Sequence, residues 1–414
     1  MSLVRAVATR VRRAARADGA GESGLSALIG LHALHAAGDA MVAVALAGTL
    51  FFSVPIGEAR GRVALYLLLT LLPFAFLVPI AGPLLDRFRH GRRNVLALTT
   101  GGRGLLTWVM AGAVSGLGLY PLALGVLVLS RAYGVARAAA IPRVRPPDLG
   151  LVSGAARVNV AGAVGTTVAG AVAAVVSIAF GPAQVLYLAS VVLIVASVLA
   201  LRLPDCVDER PDPNRVPDAH PRLLDLPRVL RAPLSATCGM RATQGLLTLF
   251  LAFLLRQQSA SAAEVGFVLG GALIGGLIGT ITAARMPGLA PRRLPFFAPG
   301  LALVACLVAA LSPTTPMLAV AAGVSGLAGS MAKFGLDATI QTSISSDRVS
   351  TYFARSETAL QLSWVLGAAI ALLLPAQGAL GFWAAVVLLG AGLLLAVRVS
   401  RQPAGPPPGA RAAA

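Results

Sequence analysis

Long apolar runs dominate this sequence and limit the folds it can adopt. Only 12% of its 414 residues are charged, whereas a soluble domain carries about 25%. A helix needs about 20 apolar residues to cross about 30 Å of hydrocarbon, and runs of that length follow one another along the chain. Because lipid offers no partner to backbone polar groups, such runs must be helical. The sequence therefore predicts an all-α integral membrane protein.

Twelve apolar spans can be placed, six on each side of a polar stretch near the middle of the chain. We expect two pseudo-symmetric six-helix bundles, at 26–203 and 233–398. A cytoplasmic linker at 204–232 joins them, and cytoplasmic tails occupy 1–25 and 399–414. The predicted spans are 26–52, 63–84, 94–116, 119–140, 151–178, 183–202, 233–255, 264–284, 295–312, 316–335, 354–375 and 379–398.

Positive charge is concentrated in every second connection between the spans. The formal net charge is +18, and most arginines lie in alternate loops, the linker and the tails. Since cytoplasmic loops carry an excess of basic residues, we expect both termini inside, in a plasma or inner membrane. The arginines form no basic face with interleaved aromatic residues, so no nucleic-acid partner is predicted. Three cysteines without a C-x-x-C pair indicate neither a disulfide framework nor a metal site.

The two halves of the chain are related in sequence. Arg87 follows the second predicted span and Arg285 follows the eighth, 198 residues later. Arg157 opens the fifth span and Arg355 opens the eleventh, at the same separation. A common register at equivalent positions indicates an internal repeat, as in transporters built from two related bundles.

A charged loop follows the second span, with the sequence GPLLDRFRHGRRN at 82–94. When Arg89 and His90 are read as an insertion, its residues follow the order G-x-L-x-D-R-x-G-R-R; the matching positions include Gly82, Asp86, Arg87, Gly91, Arg92 and Arg93. This loop resembles motif A of the major facilitator superfamily. The stretch RAAAIPRVRPPDLGLVSGAARVN resembles the branch that contains bacterial macrolide and siderophore exporters. The resemblance covers essentially the whole chain and implies a secondary transporter.

The same resemblance implies a gate on the cytoplasmic side. Asp86 would face the positive N-terminal end of the eleventh helix, and Arg137 would complete a charge cluster with Asp86 and Glu357. The cluster would form when the cytoplasmic side is closed and break when it opens. The alternative is that the basic loop only fixes the topology.

Asp39 is the acidic residue placed deepest in the first span. His35 and His32 precede it by four and seven residues, so all three share one face of a helix. A carboxylate at membrane depth is a functional candidate, and we expect Asp39 to exchange protons with His35 as its relay. The alternative is that Asp39 is permanently paired with an arginine and holds two helices together. A metal site of these three residues is a third, weaker interpretation.

Four arginines lie inside predicted spans at a similar depth of roughly 9–13 Å from the cytoplasmic end. They are Arg103, Arg131, Arg157 and Arg241. Each could extend to lipid phosphates, or together they could line a basic vestibule for a substrate that bears carboxylate or phosphate.

The predicted function is secondary active transport of a small molecule. The leading hypothesis is proton-coupled export of an amphipathic solute by alternating access, with a monomer in the lipid bilayer, protons as the coupling ion and no cofactor. The second is import or facilitated diffusion of an organic anion. The third is a membrane scaffold without transport. We expect no enzymatic activity, because no catalytic constellation or cofactor motif is evident.

Overall fold

The computed structural model describes residues 17–47, 91–114, 118–149, 151–208, 226–285, 293–344 and 349–401, together with Thr49 and Gly61. Eleven α-helices and one short 3-10 helix occupy most of these ranges. Ten of the eleven are long and apolar enough to cross a membrane. The prediction of an all-α integral membrane fold is confirmed. The second predicted span, 63–84, lies outside the described residues.

The helices follow the predicted spans in order. They are α1 (Leu25–Ala47), α2 (Arg92–Gly112), α3 (Leu119–Val144), α4 (Leu151–Phe180), α5 (Pro182–Leu201), α6 (Arg228–Gln257), α7 (Ala262–Arg285), α8 (Leu294–Leu311), α9 (Thr315–Ser343), α10 (Val349–Leu373) and α11 (Leu380–Ser400). The 3-10 turn Asp205–Val207 follows α5.

The same helix pairings recur in the two halves. In the first bundle α1 packs on α4 and α5, and α2 packs on α3 and α5. In the second bundle α6 packs on α10 and α11, and α8 packs on α9 and α11. The bundles meet where α4 packs against α7 and α9, and where α3 contacts α10. The fold is therefore pseudo-symmetric, with α3 and α4 of the first bundle facing the second.

Two glycines on corresponding helix pairs of the two bundles show how closely the paired helices approach. A Cβ atom on Gly165 of α4 would overlap the carbonyl oxygen of Ala33 in α1. A Cβ atom on Gly367 of α10 would overlap the carbonyl oxygen of Ala242 in α6. Small residues allow such contact because packing, rather than the hydrophobic effect, holds helices together in lipid.

Several predicted boundaries differ from the structure, among them the end of the tenth span and the end of the linker. The tenth span was expected to end at 335, but α9 continues to Ser343, so two more turns of helix carry polar side chains. The linker was expected to reach 232, but α6 already begins at Arg228. Apolar content alone marks the part of a helix that lies in hydrocarbon, and a helix continues beyond it wherever the protein interior or water satisfies its side chains.

Gly367→Ala should destabilise the protein by about 1–3 kcal/mol, because the added methyl group forces α10 away from α6. Thermal unfolding of the purified protein in detergent measures the effect. Gly390→Ala in α11 is the matched control, since nothing lies within 4 Å of its added Cβ atom. Equal melting temperatures for the two variants would contradict the close packing of α6 and α10.

Candidate functional site

Asp39 lies at the centre of a polar cluster that joins three helices of the first bundle. Arg103 of α2 forms an ion pair with its Oδ1 atom, and Ser130 of α3 donates to both carboxylate oxygens at 3.3 Å. His35, one turn earlier on α1, contacts Oδ2 through Nε2 at 3.1 Å. The structure thus gives Asp39 the arginine partner that one interpretation of the sequence requires. The carboxylate side chain nevertheless remains 43% exposed.

The hydrogen-bond directions in this cluster fix the protonation of His35. Nη1 of Arg103 lies 2.9 Å from Nδ1 of His35, and an arginine can only donate. Nδ1 therefore accepts, and Nε2 carries the proton that is donated to Asp39. The imidazole is neutral in this arrangement, and a second proton on it would require Arg103 to move.

His32 belongs to an adjoining cluster on the same face of α1. Its Nε2 atom accepts a hydrogen bond from Arg137 of α3 at 3.0 Å, and Arg137 also donates to Asn159 of α4 at 3.0 Å. The ring of Tyr133 stacks on both histidines. Both histidines are thus engaged with arginines. Within the described ranges, no group of three His, Cys, Asp or Glu side chains is placed to hold a metal ion.

The four arginines within the spans do not form one ring. Arg103 is fully buried against Asp39, and Arg157 pairs with Asp18 and donates to the carbonyl oxygen of Ala17 at 3.0 Å. Of the other two, Arg131 contacts the second bundle and Arg241 belongs to it. Arg131 of α3 donates to Gln361 of α10 at 3.1 Å, and Arg241 of α6 donates to Gln244 at 3.1 Å.

The charged loop of the sequence is only partly described. Gly82, Asp86 and Arg87 lie outside the described residues, and Gly91 immediately precedes α2. Arg92 lies 3.5 Å from the carbonyl oxygen of Ala139 in α3. Arg93 binds the start of the linker, where its Nη1 atom lies 2.5 Å from Asp205 and its backbone amide donates to Asp208 at 3.1 Å. Arg93 therefore holds the acidic start of the linker against the first bundle.

Glu357 pairs with a lysine rather than with Arg137. Nζ of Lys333 in α9 lies 2.6 Å from Oε1 of Glu357 in α10 and 2.6 Å from Oδ1 of Asp337, one turn further along α9. The guanidinium of Arg137 is instead directed within the first bundle, towards His32 and Asn159. Lys333, Asp337 and Glu357, hereafter the triad, join α9 to α10. Arg131 and Arg241 lie within Coulombic range of Glu357.

The sequence reasoning missed two members of the triad, Lys333 and Asp337. Lys333 lies two residues before the predicted end of the tenth span at 335, and Asp337 lies two residues beyond it. A signal was present, since Lys333 is the only lysine in the chain and has a carboxylate four residues later, the spacing of a helical ion pair.

A cavity of about 430 Å³ separates α4 from four helices of the second bundle, α6, α7, α9 and α10. Leucine, valine, alanine and glycine form most of its wall, and Trp364 of α10 also lines it. Among the described lining residues, Arg241 is the only charged one. Trp108, by contrast, is 54% exposed on the outer surface. The cavity therefore offers an apolar volume with one cationic group.

Curated relatives match most of the chain. It is 35% identical to the uncharacterized protein ML2143 of Mycobacterium leprae over 397 residues, which cover 86% of this chain and 68% of the relative. It is also 35% identical to the uncharacterized protein Rv0876c of Mycobacterium tuberculosis over 393 residues, covering 86% of this chain and 70% of the relative. The chain belongs to the family of these mycobacterial proteins. No protein-family model matches it.

Solved structures show which fold this family member has. The human organic anion transporter MFSD10 has a TM-score of 0.70 at 17% identity, covering 91% of this chain and 99% of that one. A bacterial homologue of the iron transporter ferroportin, in its outward-facing state, has a TM-score of 0.69 at 17% identity, covering 92% and 100%. FucP, a major facilitator superfamily transporter in the outward conformation, has a TM-score of 0.64 at 14% identity, covering 91% and 99%. The chain thus has the major facilitator fold.

Asp39→Ala should destabilise this family member by about 3–5 kcal/mol, because it leaves the fully buried Arg103 without its counter-charge. Thermal unfolding in detergent measures the loss. The double variant Asp39→Ala/Arg103→Met should recover most of it.

The exposed pair of Asp18 and Arg157 provides the control for this prediction. Asp18→Ala should cost less than about 1 kcal/mol, since exposed ion pairs contribute little. If Asp39→Ala were as mild as Asp18→Ala, the ion pair of Asp39 would not hold α1 to α2.

Proposed function

We propose that the chain is a secondary transporter that moves an amphipathic small molecule with negative charge across the membrane. The observation that carries this proposal is the cavity between the bundles, with its apolar wall and its single described charge, Arg241. An apolar volume with a few placed polar groups is typical of a small-molecule site. Sites of two-bundle transporters lie at the interface of the repeats.

Alternating access would occur by rocking one bundle against the other. Contacts that would break join the two bundles: the hydrogen bond from Arg131 to Gln361 crosses from α3 to α10, and α4 packs against α9, where Asn159 and Asp337 line one small pocket. The motif that includes Gly82, Asp86 and Arg87 would add a gate at the linker end, as the resemblance implies. We propose that this end of the protein and both termini lie on the cytoplasmic side of the cell membrane, and that the protein is a monomer.

Negative charge on the substrate is supported by two independent observations. Arg241 is the group that a carboxylate, sulfate or phosphate in the cavity would reach, and guanidinium binds such groups with charge-assisted hydrogen bonds. MFSD10, which shares the fold, is named as an organic anion transporter.

We also propose that the transport is export and that it is coupled to protons. The resemblance to macrolide and siderophore exporters favours export, and the cluster around Asp39 supplies the titratable groups for proton coupling. Protonation of Asp39 would weaken its ion pair with Arg103 and loosen α1 from α2. Import or facilitated diffusion of an organic anion is the second candidate, because Arg241 in the cavity would bind an anion in either direction of transport.

Arg241→Gln should weaken the binding of aromatic sulfates and carboxylates about 10- to 100-fold, since a hydrogen bond to a charged group contributes about 1.5–3 kcal/mol. Binding to the purified protein in nanodiscs is compared for estrone sulfate and neutral estrone. Arg241→Lys, which keeps the charge, is the matched control and should retain most of the affinity. An equal effect of Arg241→Gln on both ligands would exclude recognition of negative charge in the cavity.

Asp39→Asn should abolish transport driven by a pH gradient in proteoliposomes, while exchange of labelled for unlabelled solute continues. Asparagine keeps a hydrogen-bonding oxygen for Arg103 and Ser130 but cannot take up a proton. Continued exchange shows that the variant is folded and binds its solute. Wild-type rates under the pH gradient would remove Asp39 from the coupling mechanism, and failure of the wild type to move any solute would favour the scaffold.

A further inference from the structure

Lys333 is chemically distinct from every other basic side chain in this protein. The chain contains 33 arginines and one lysine, and that lysine lies within α9 between two carboxylates at 2.6 Å each. An ammonium group has three hydrogens, so a third acceptor can bind while two are engaged. Lysine is also a common phosphate ligand, acting as a compact point charge.

The face of α9 that lines the cavity continues into the triad. Ala322, Gly326 and Ser330 line the cavity, and Lys333 and Asp337 follow at three- and four-residue spacing, which places them on the same face. On α10, Trp364 lines the cavity and Glu357 lies seven residues earlier on that face. The triad is not among the described lining residues of the cavity; it lies next to them on the same faces of α9 and α10, starting about one turn beyond Ser330.

The two carboxylates of the triad face different surroundings. Glu357 lies within Coulombic range of Arg241 and Arg131, besides its contact with Lys333. Asp337 lines the small pocket with Asn159, lies within range of Arg137 and interacts with Arg241 more weakly than Glu357 does. Glu357 is thus the carboxylate of the triad with the stronger attraction to Arg241, and Asp337 is the one with the weaker attraction.

The triad and the two arginines near Glu357 together carry more positive than negative charge. Lys333, Arg241 and Arg131 contribute three positive charges, and Glu357 and Asp337 contribute two negative ones. Without Glu357 the excess would rise from one charge to two. Glu357 therefore offsets one positive charge at this site, as the head of a bound anion would.

We propose that Lys333 and Arg241 together bind the anionic head of an amphipathic organic anion, and that Glu357 occupies this position until the anion displaces it. The apolar body of the anion then lies along the cavity wall near Trp364. This inference rests on the proposed function and deepens it. It names the two cations that would bind the negative charge of the substrate and the carboxylate that would compete with it.

The single lysine allows a test that needs no knowledge of the natural substrate. Pyridoxal 5′-phosphate condenses with amines, and borohydride traps the adduct; pyridoxal is the matched probe without the phosphate. With the full chain in nanodiscs, peptide mass spectrometry separates modification of Lys333 from that of the terminal amine. The rate at which pyridoxal 5′-phosphate labels Lys333, divided by the rate at which pyridoxal labels it, reports the attraction of Lys333 for an anion.

Glu357→Gln should raise this ratio about tenfold or more, because a unit negative charge beside the site is removed at low effective dielectric. Asp337→Asn is the matched control, since it also removes one carboxylate from Lys333, and its ratio should rise several-fold less. Adding Arg241→Gln to Glu357→Gln should return the ratio towards the wild-type value. Equal ratios in Glu357→Gln and Asp337→Asn would overturn the proposal.

A second measurement uses the unmodified sequence, in case Glu357→Gln does not fold. Estrone sulfate should slow the labelling of wild-type Lys333 by pyridoxal 5′-phosphate, and neutral estrone should not. Equal slowing by both compounds, or by neither, would also overturn the proposal.

These outcomes are separable from those of the proposed function, because labelling requires no transport. A selective ratio without solute uptake in proteoliposomes would keep the anion site and reject transport. Uptake of organic anions with an unselective ratio would keep transport and place recognition elsewhere.

Discussion

A charge buried among membrane helices must find its counter-charge within the protein, and this requirement shapes both bundles. Arg103 is fully buried, and it meets Asp39 and His35 of α1. Since neither lipid nor an apolar core can solvate a guanidinium, α1 and α2 are held at the distance and rotation that keep this pair together. Ser130 brings α3 to the same carboxylate. One ion pair thus fixes the relative positions of three helices.

The repeated fold uses its charges differently in its two halves. In the first bundle, Arg103 and Arg137 are bound to Asp39, His35, His32 and Asn159. In the second bundle, Lys333 shares two carboxylates while Arg241 lines the cavity. The same helix pairings therefore support two different charge arrangements, one enclosed within the first bundle and one beside the cavity between the bundles.

Much of the fold followed from the sequence, and much of the site did not. The order of the spans and the face shared by His32, His35 and Asp39 could be predicted from helical periodicity. The vestibule of four arginines could not be decided, because Arg103 and Arg157 find acidic partners far away in sequence, at Asp39 and Asp18. A charge cluster of Arg137 with Asp86 and Glu357 was expected from the resemblance, but the contact of Glu357 with Lys333 was not. Asp337 was overlooked because apolar content does not show how far a helix continues beyond its apolar part.

The sequence by itself determined that this protein is a bundle of membrane helices in two related halves. Twenty-residue apolar runs leave a chain no other way to satisfy its backbone in lipid, and spacing along one helix fixes which residues share a face. Only the tertiary structure decided which charges meet, because partners such as Arg131 and Gln361 lie 230 residues apart on helices whose rotation depends on packing. Close contacts such as that of Gly367 with Ala242 set those rotations, and with them the cavity between the bundles.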